Sequence, residues 1–176
     1  VNLAEGTATD NWGNTDRLSN IEGIVGSQFN DSLTGDNLDN QIDGGAGADV
    51  LTGGSGNDTF TFTAGDSIFN SINDASNVID TITDLSIGDK IDLSKITTNL
   101  NLITSVIDAN EPNSVGTTTS GFDVFFAKLN NRYYLAYETT PGDDNAQGNI
   151  GVIDIGITMV GSLSTYTVSN GVIIIN

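Results

Sequence analysis

Between Gly26 and Thr61 an aspartate or asparagine recurs every ninth residue: Asp31, Asn40, Asp49 and Asp58, each behind a glycine-bearing turn. The units read GSQFNDSLT (26–34), GDNLDNQID (35–43), GGAGADVLT (44–52) and GGSGNDTFT (53–61). Carboxylate oxygens beside glycines, whose main-chain carbonyls can converge, are the ligand set of a hard cation, and calcium takes about 6–8 such oxygens. The chain has no histidine and no cysteine, which disfavours zinc and copper. The same absence removes Ser-His-Asp and Cys-His nucleophile systems and HExxH zinc sites. Carboxylate or metal-assisted chemistry survives, but 23 acids place carboxylates near one another by number alone. The chain itself is read as no enzyme, any activity being left to a larger parent.

Charge narrows the partners. Against 23 Asp and Glu stand five Lys and Arg, a net charge of −18. Nucleic acid needs clustered basic residues, whereas Arg17, Lys90, Lys95, Lys128 and Arg132 are scattered. An acidic membrane surface is excluded on the same ground. No apolar run approaches the ~20 residues of a spanning helix, so no membrane span is expected. Val1 reads as the cut edge of a larger chain, since neither an initiator Met nor a leader pattern stands there.

The elements that must hold these oxygens follow from the apolar residue at the eighth place of each unit. It reads Leu33, Ile42, Leu51 and Phe60, with Ile24 before and Phe69 and Val78 after. The units 44–52 and 53–61 match G-G-x-G-x-D-x-U-x, U being a large apolar residue, a calcium-binding parallel β-helix repeat. Each unit divides into a six-residue turn and a three-residue strand with U inward and polar neighbours outward. Two units make one coil, so Leu33 stacks on Leu51, and Ile24, Ile42 and Phe60 stack opposite. Stacking brings the turn of Asp31 over that of Asp49, where a cation relieves the repulsion. A flexible Gly/Asn linker, the competing reading, gives no reason for a large apolar residue every ninth place.

With these motifs on the page, the chain resembles the RTX (repeats-in-toxin) β-roll proteins, exported through type I secretion by Gram-negative bacteria and cyanobacteria. The likeness continues through VIDTITDLSIGDKIDLSKI (78–96), NNRYYLAYE (130–138) and GVIDIGITMVGSLSTYTV (151–168), which look like C-terminal domains of serralysin-type proteases and of alginate epimerase R-modules. The resemblance implies several calcium ions. It implies metal ligands at Gly44, Gly45, Gly47 and Asp49, at Gly53, Gly54, Gly56 and Asp58, and in the imperfect turns at Gly26 and Asp31 and at Gly35 and Asn40. Asp66 and Asp80 match two later acids that bind a last ion in serralysin-like closing segments, while Asp84, Asp89 and Asp92 are read as structural, capping or solvated. The catalytic parts of those families are not in this chain.

The C-terminal half reads as strands: FDVFFAK and RYYLAYE around Asn130-Asn131, a strand in IGVIDIGITMV, and a last hairpin TYTV-SNG-VIII. Trp12 is assigned as a cap over the first coil. The expected architecture is all-β: a short right-handed parallel β-roll capped by an antiparallel C-terminal β segment. Its divisions are lead-in and cap strands at 1–25, the roll at 26–80, and at 81–176 a capping segment with a type I secretion signal. The functional expectation is a monomeric, non-catalytic calcium-binding C-terminal module of a larger secreted protein, extracellular or at the cell surface, whose partners are calcium and the type I secretion apparatus. The alternative is a module binding a polysaccharide or a cell surface through Arg132, Tyr133 and Tyr134.

Overall fold

The computed structural model describes residues 1–63, 66, 78–96, 100–108, 122–129, 132–138, 150–156 and 166–176. All regular structure among them is β. A hairpin of β1 (Thr7–Thr9) and β2 (Thr15–Arg17) precedes five three-residue strands set nine residues apart: β3 (Gly23–Val25), β4 (Ser32–Thr34), β5 (Gln41–Asp43), β6 (Val50–Thr52) and β7 (Thr59–Thr61). Two more short strands follow, β8 (Asp80–Ile82) and β9 (Lys90–Asp92), whose inward residues Ile82 and Ile91 are nine apart. The longer ones follow: β10 (Leu100–Asp108), β11 (Phe122–Leu129), β12 (Arg132–Glu138) and β13 (Ile150–Gly156), then β14 (Tyr166–Ser169) and β15 (Val172–Ile175).

The chain alternates between two parallel sheets. Leu33 pairs with Leu51 in one, and Ile24 with Ile42 and Ile42 with Phe60 in the other. This is the stacking that the eighth-place residues require, because a three-residue strand with one inward side chain can bury it only against the coils beside it and the sheet opposite. The inward residues Ile24, Leu33, Ile42, Leu51 and Phe60 are all 5% exposed or less. Each contributes about 1.5–3 kcal/mol by burial.

The apolar period departs from expectation after Phe60. The next rungs are Ile82, beside Leu51, and Ile91, beside Phe60, each 31 residues on instead of 18. Val78 stands outside the three-residue strands and is not a rung, and Phe69 lies outside the described residues. An insertion between β7 and β8 thus shifts the phase and leaves the coil intact, since only the strand triplets need stay in register. The sequence reading ends the roll at residue 80, whereas parallel pairing runs on through Thr61↔Asp92.

The C-terminal strands extend both roll sheets. One runs β4-β6-β8-β13-β12-β11-β10 and the other β3-β5-β7-β9-β15-β14. β11 and β12 form the expected antiparallel hairpin with Leu129 opposite Arg132, and β14 and β15 form another through Asn170 and Gly171, both at positive φ. The capping segment is not wholly antiparallel: β10 runs parallel to β11, and β13 parallel to β8. Leu135 of β12 and Ile173 and Ile175 of β15 carry the core past the last coil, all 1% exposed or less.

At the other end the cap is Leu3, not Trp12. Residues 1–3 lie along β4, with Leu3 N–H donating to the Thr34 carbonyl at 2.8 Å and Thr34 N–H to the Val1 carbonyl at 2.9 Å. Leu3 joins the core at 8% exposure, with Leu18 packed against it. Trp12 is 86% exposed, at the tip of the β1–β2 hairpin, where Asp10 accepts the N–H groups of Trp12 and Asn14. The tight tip leaves its side chain in solvent.

Candidate metal site

The roll's two edges are stacks of six-residue turns. One carries turns 26–31 and 44–49; the other carries turns 35–40, 53–58 and, one coil further, 84–89. Their sixth-place residues form two ladders. Asp31 N–H donates to Asp49 Oδ1 at 2.8 Å, and Asp49 N–H to Asp80 Oδ1 at 2.9 Å. On the other edge Asn40 N–H donates to Asp58 Oδ1 at 2.8 Å, and Asp58 N–H to Asp89 Oδ1 at 2.9 Å. Each acid thus holds the main chain of the coil above with one oxygen. The other oxygen is the one available for chemistry.

The second oxygens of Asp49 and Asp58 are buried and accept no hydrogen bond. Both residues are 1% exposed. A buried carboxylate oxygen without a donor costs more than the ~1–3 kcal/mol of an unpaired neutral group, so the arrangement calls for a positive partner. Burial accordingly raises both carboxyls above the ordinary aspartate value, against the lowering effect of the Asp31 and Asn40 N–H donors. Neighbouring acids push the same way: Asp31, Asp66 and Asp43 on Asp49, and Asp89, Asp84 and Asp39 on Asp58.

Main-chain carbonyls meet in the same gaps. A Cβ at Gly26 would collide with the Gly44 carbonyl oxygen, and one at Gly35 with the Gly53 carbonyl oxygen. Those carbonyls therefore point at the turn above across a space that any side chain would fill. Gly54, at φ 101°, could not be replaced without strain, and its Cβ would strike the Asp36 carbonyl. Among the described residues no three carboxylates gather on one point. A cation here would have one or two carboxylates and, for the rest of its shell, main-chain carbonyls, a donor set that fits calcium.

The upper turns differ from the lower ones. The Asp31 carboxylate is satisfied within its own turn, where Oδ2 accepts Ser27 N–H at 2.7 Å and Ser27 Oγ–H at 2.9 Å. Asn40 Oδ1 accepts Asp36 N–H at 2.7 Å, which leaves its buried Nδ2 without a partner. An aspartate would offer two acceptors at that place and the amide offers one. The third glycine is replaced by Phe29 and Leu38, 67% and 52% exposed. At the corresponding places one coil on, a Cβ on Gly47 would lie 2.7 Å from the Phe29 carbonyl carbon and one on Gly56 2.7 Å from that of Leu38, so glycine is needed there.

Asp66 is buried and accepts the N–H and Oγ–H of Thr63, while Asp80 takes the third place on the Asp49 ladder. Asp89 holds the equivalent place on the other ladder; its Oδ2 accepts Ser86 N–H at 2.7 Å and Ser86 Oγ–H at 3.1 Å. Burial raises its carboxyl too. Asp80-Thr-Ile82 and Asp89-Lys-Ile91 repeat the D-x-U core of the nonapeptide nine residues apart, a signal hidden by the missing glycines. Arg132, Tyr133 and Tyr134 are consecutive on β12, and Tyr134 is half-buried.

The family model of the RTX calcium-binding nonapeptide repeat (4 copies) matches residues 25–60 and, in an overlapping register, 34–68. No curated protein matches the chain. Among solved structures, the solution structure of the AlgE6R3 subunit from the Azotobacter vinelandii mannuronan C5-epimerase aligns with a TM-score of 0.41 and 20% identity, over 86% of this chain and 92% of that one. The glycine turns, the nine-residue strand register and the family match agree: residues 25–68 of the chain are RTX calcium-binding nonapeptide repeats.

Proposed function

We propose that the chain is a non-catalytic module of a larger exported protein, folding when it meets extracellular calcium and supporting type I secretion of the protein that carries it. The reading rests on one observation: the buried second oxygens of Asp49 and Asp58 have no donor, in gaps lined by glycine carbonyls. Asp49 with Gly44, Gly45 and Gly47, and Asp58 with Gly53, Gly54 and Gly56, hold the ions against the turns of Gly26 and Asp31 and of Gly35 and Asn40. Asp66 and Asp80 serve a further ion. Calcium supplies positive charge that makes these burials favourable, and because the unfolded chain has no such gaps, binding energy becomes folding energy. At low cytosolic calcium the net charge of −18 keeps the roll open for translocation. Outside, calcium closes it.

The test is far-UV circular dichroism of the chain with excess chelator and then with millimolar calcium chloride. The expected result is a large gain of β signal on adding calcium, reversed by chelator. An identical, fully β spectrum in both conditions would sink the proposal.

A further inference from the structure

Asp84, an acid of the third coil, reaches with its carboxylate into the glycine turn 53–58. It occupies the first place of turn 84–89, where the repeat has glycine, and accepts Gly53 N–H at 2.9 Å on Oδ1 and Gly54 N–H at 2.8 Å on Oδ2. The peptide units are trans, so each N–H is antiparallel to the carbonyl of the residue before it. Drawing the two N–H groups towards the third coil turns the Thr52 and Gly53 carbonyls towards the first. The structure agrees: the Thr52 carbonyl accepts Gly35 N–H at 2.9 Å, and the Gly53 carbonyl fills the space a Cβ on Gly35 would need.

The two edges differ in how this is done. On the Asp49 edge the gap is flanked by two acids, Asp31 and Asp49, and Gly45 N–H is held locally by Asp43 Oδ1 at 3.2 Å. On the other edge Asn40 stands where the repeat has an acid, so the sixth places bring one carboxylate, that of Asp58, instead of two. There the clamp on the glycine N–H groups is a carboxylate from the next coil. Hydrogen bonds in line polarise one another, and a charged acceptor makes the strong end of such a chain.

We propose that Asp84 positions and polarises the Gly53 and Gly54 peptides for a cation held between turns 35–40 and 53–58, supplying from outside the gap the charge that Asn40 does not supply within it. This rests on the calcium reading above. Asp84 touches no ion; it acts through the Gly53 carbonyl.

The experiment is calorimetric titration of the whole chain with calcium chloride, for the wild type, Asp84→Asn, Asn40→Asp and the double variant, with amide proton shifts of Gly53 and Gly54 followed by NMR. Asp84→Asn should weaken one class of sites by about tenfold, as losing a charged hydrogen bond of ~1.5 kcal/mol implies, and leave the other class alone. Asn40→Asp should tighten the weakened class and restore it in the double variant, and the Gly53 and Gly54 amide protons should move upfield in Asp84→Asn alone. Unchanged titration in Asp84→Asn overturns the inference. So does equal weakening of every class without rescue, which is the result of a merely structural role. A wild type that takes up no calcium overturns the proposed function itself, a result distinct from either.

Discussion

Neutralising the two orphaned carboxylates should have opposite effects with and without calcium. In Asp49→Asn/Asp58→Asn each side chain keeps an oxygen to accept the N–H of Asp31 or Asn40, both bonds being 2.8 Å long, so the ladders survive. What changes is the second atom, from a buried anionic oxygen to an amide donor like the unpaired Nδ2 already present at Asn40. An unpaired buried amide costs about 1–3 kcal/mol, and an unpaired buried carboxylate several. The difference is on the order of 2 kcal/mol per site, roughly a 30-fold shift of the folding equilibrium towards the closed roll in chelator for each substitution. With calcium the same change removes the charged ligand from each gap, and apparent affinity should fall by tenfold or more. Far-UV circular dichroism in chelator, paired with calcium titration, reads both effects. The double variant should show more β signal than the wild type in chelator and a much smaller gain on adding calcium. A variant that loses β signal equally in both conditions would refute the reasoning, because it would mean that the second oxygens have neutral donors and no role in binding a cation.

Protons should substitute for calcium in part. The Asp49, Asp58 and Asp89 carboxyls lie above their unfolded value near 3.8, mainly through burial. Between the unfolded and folded values the closed roll binds more protons than the open chain, so it gains stability as pH falls through the folded values, and the gain is complete below the unfolded one. The chelated protein should gain β signal on titration from neutral pH towards pH ~4, less so in Asp49→Asn/Asp58→Asn; a steady loss would contradict the burial. Leu51→Ala, at a fully buried rung between Leu33 and Ile82, should cost about 2–5 kcal/mol in urea unfolding with calcium present. Trp12→Ala should leave that stability unchanged, and fluorescence from this single tryptophan should stay water-like with and without calcium; a blue shift on adding calcium would mean that the hairpin tip closes over something.

The roll was legible because one residue in nine carries the fold. Leu33, Ile42, Leu51 and Phe60 have no use in a flexible chain at that spacing, and their strands fall where the period puts them. Legibility failed where glycine and the inward apolar residue part company. Turn 84–89 has Asp84, Leu85 and Ile87 where the repeat has glycines, yet Ile91 is a rung and Asp89 a ladder acid. The phase shift before Ile82 hid the same pattern at Asp80. Leu3 was missed as the cap because its partner is the open edge of β4, a neighbour that no local pattern announces.

The difference between the perfect and imperfect turns now has a physical sense. In the second coil glycine is required by the coil above: Gly47 and Gly56 pack under the main chain of Phe29 and Leu38, which sit a coil nearer the end of the stack and carry large side chains at the same place. The same rule applies to charge. Asp31 satisfies its second oxygen within its own turn and Asn40 brings no charge at all, whereas Asp49 and Asp58, each between two coils, keep one oxygen free. At the far end Asp84 and Asp89 spend every oxygen on main-chain or serine donors. On the Asp58 edge, demand for a cation is therefore concentrated in the middle turn, between a first turn whose Asn40 brings no charge and a third whose Asp84 and Asp89 are held by their own hydrogen bonds.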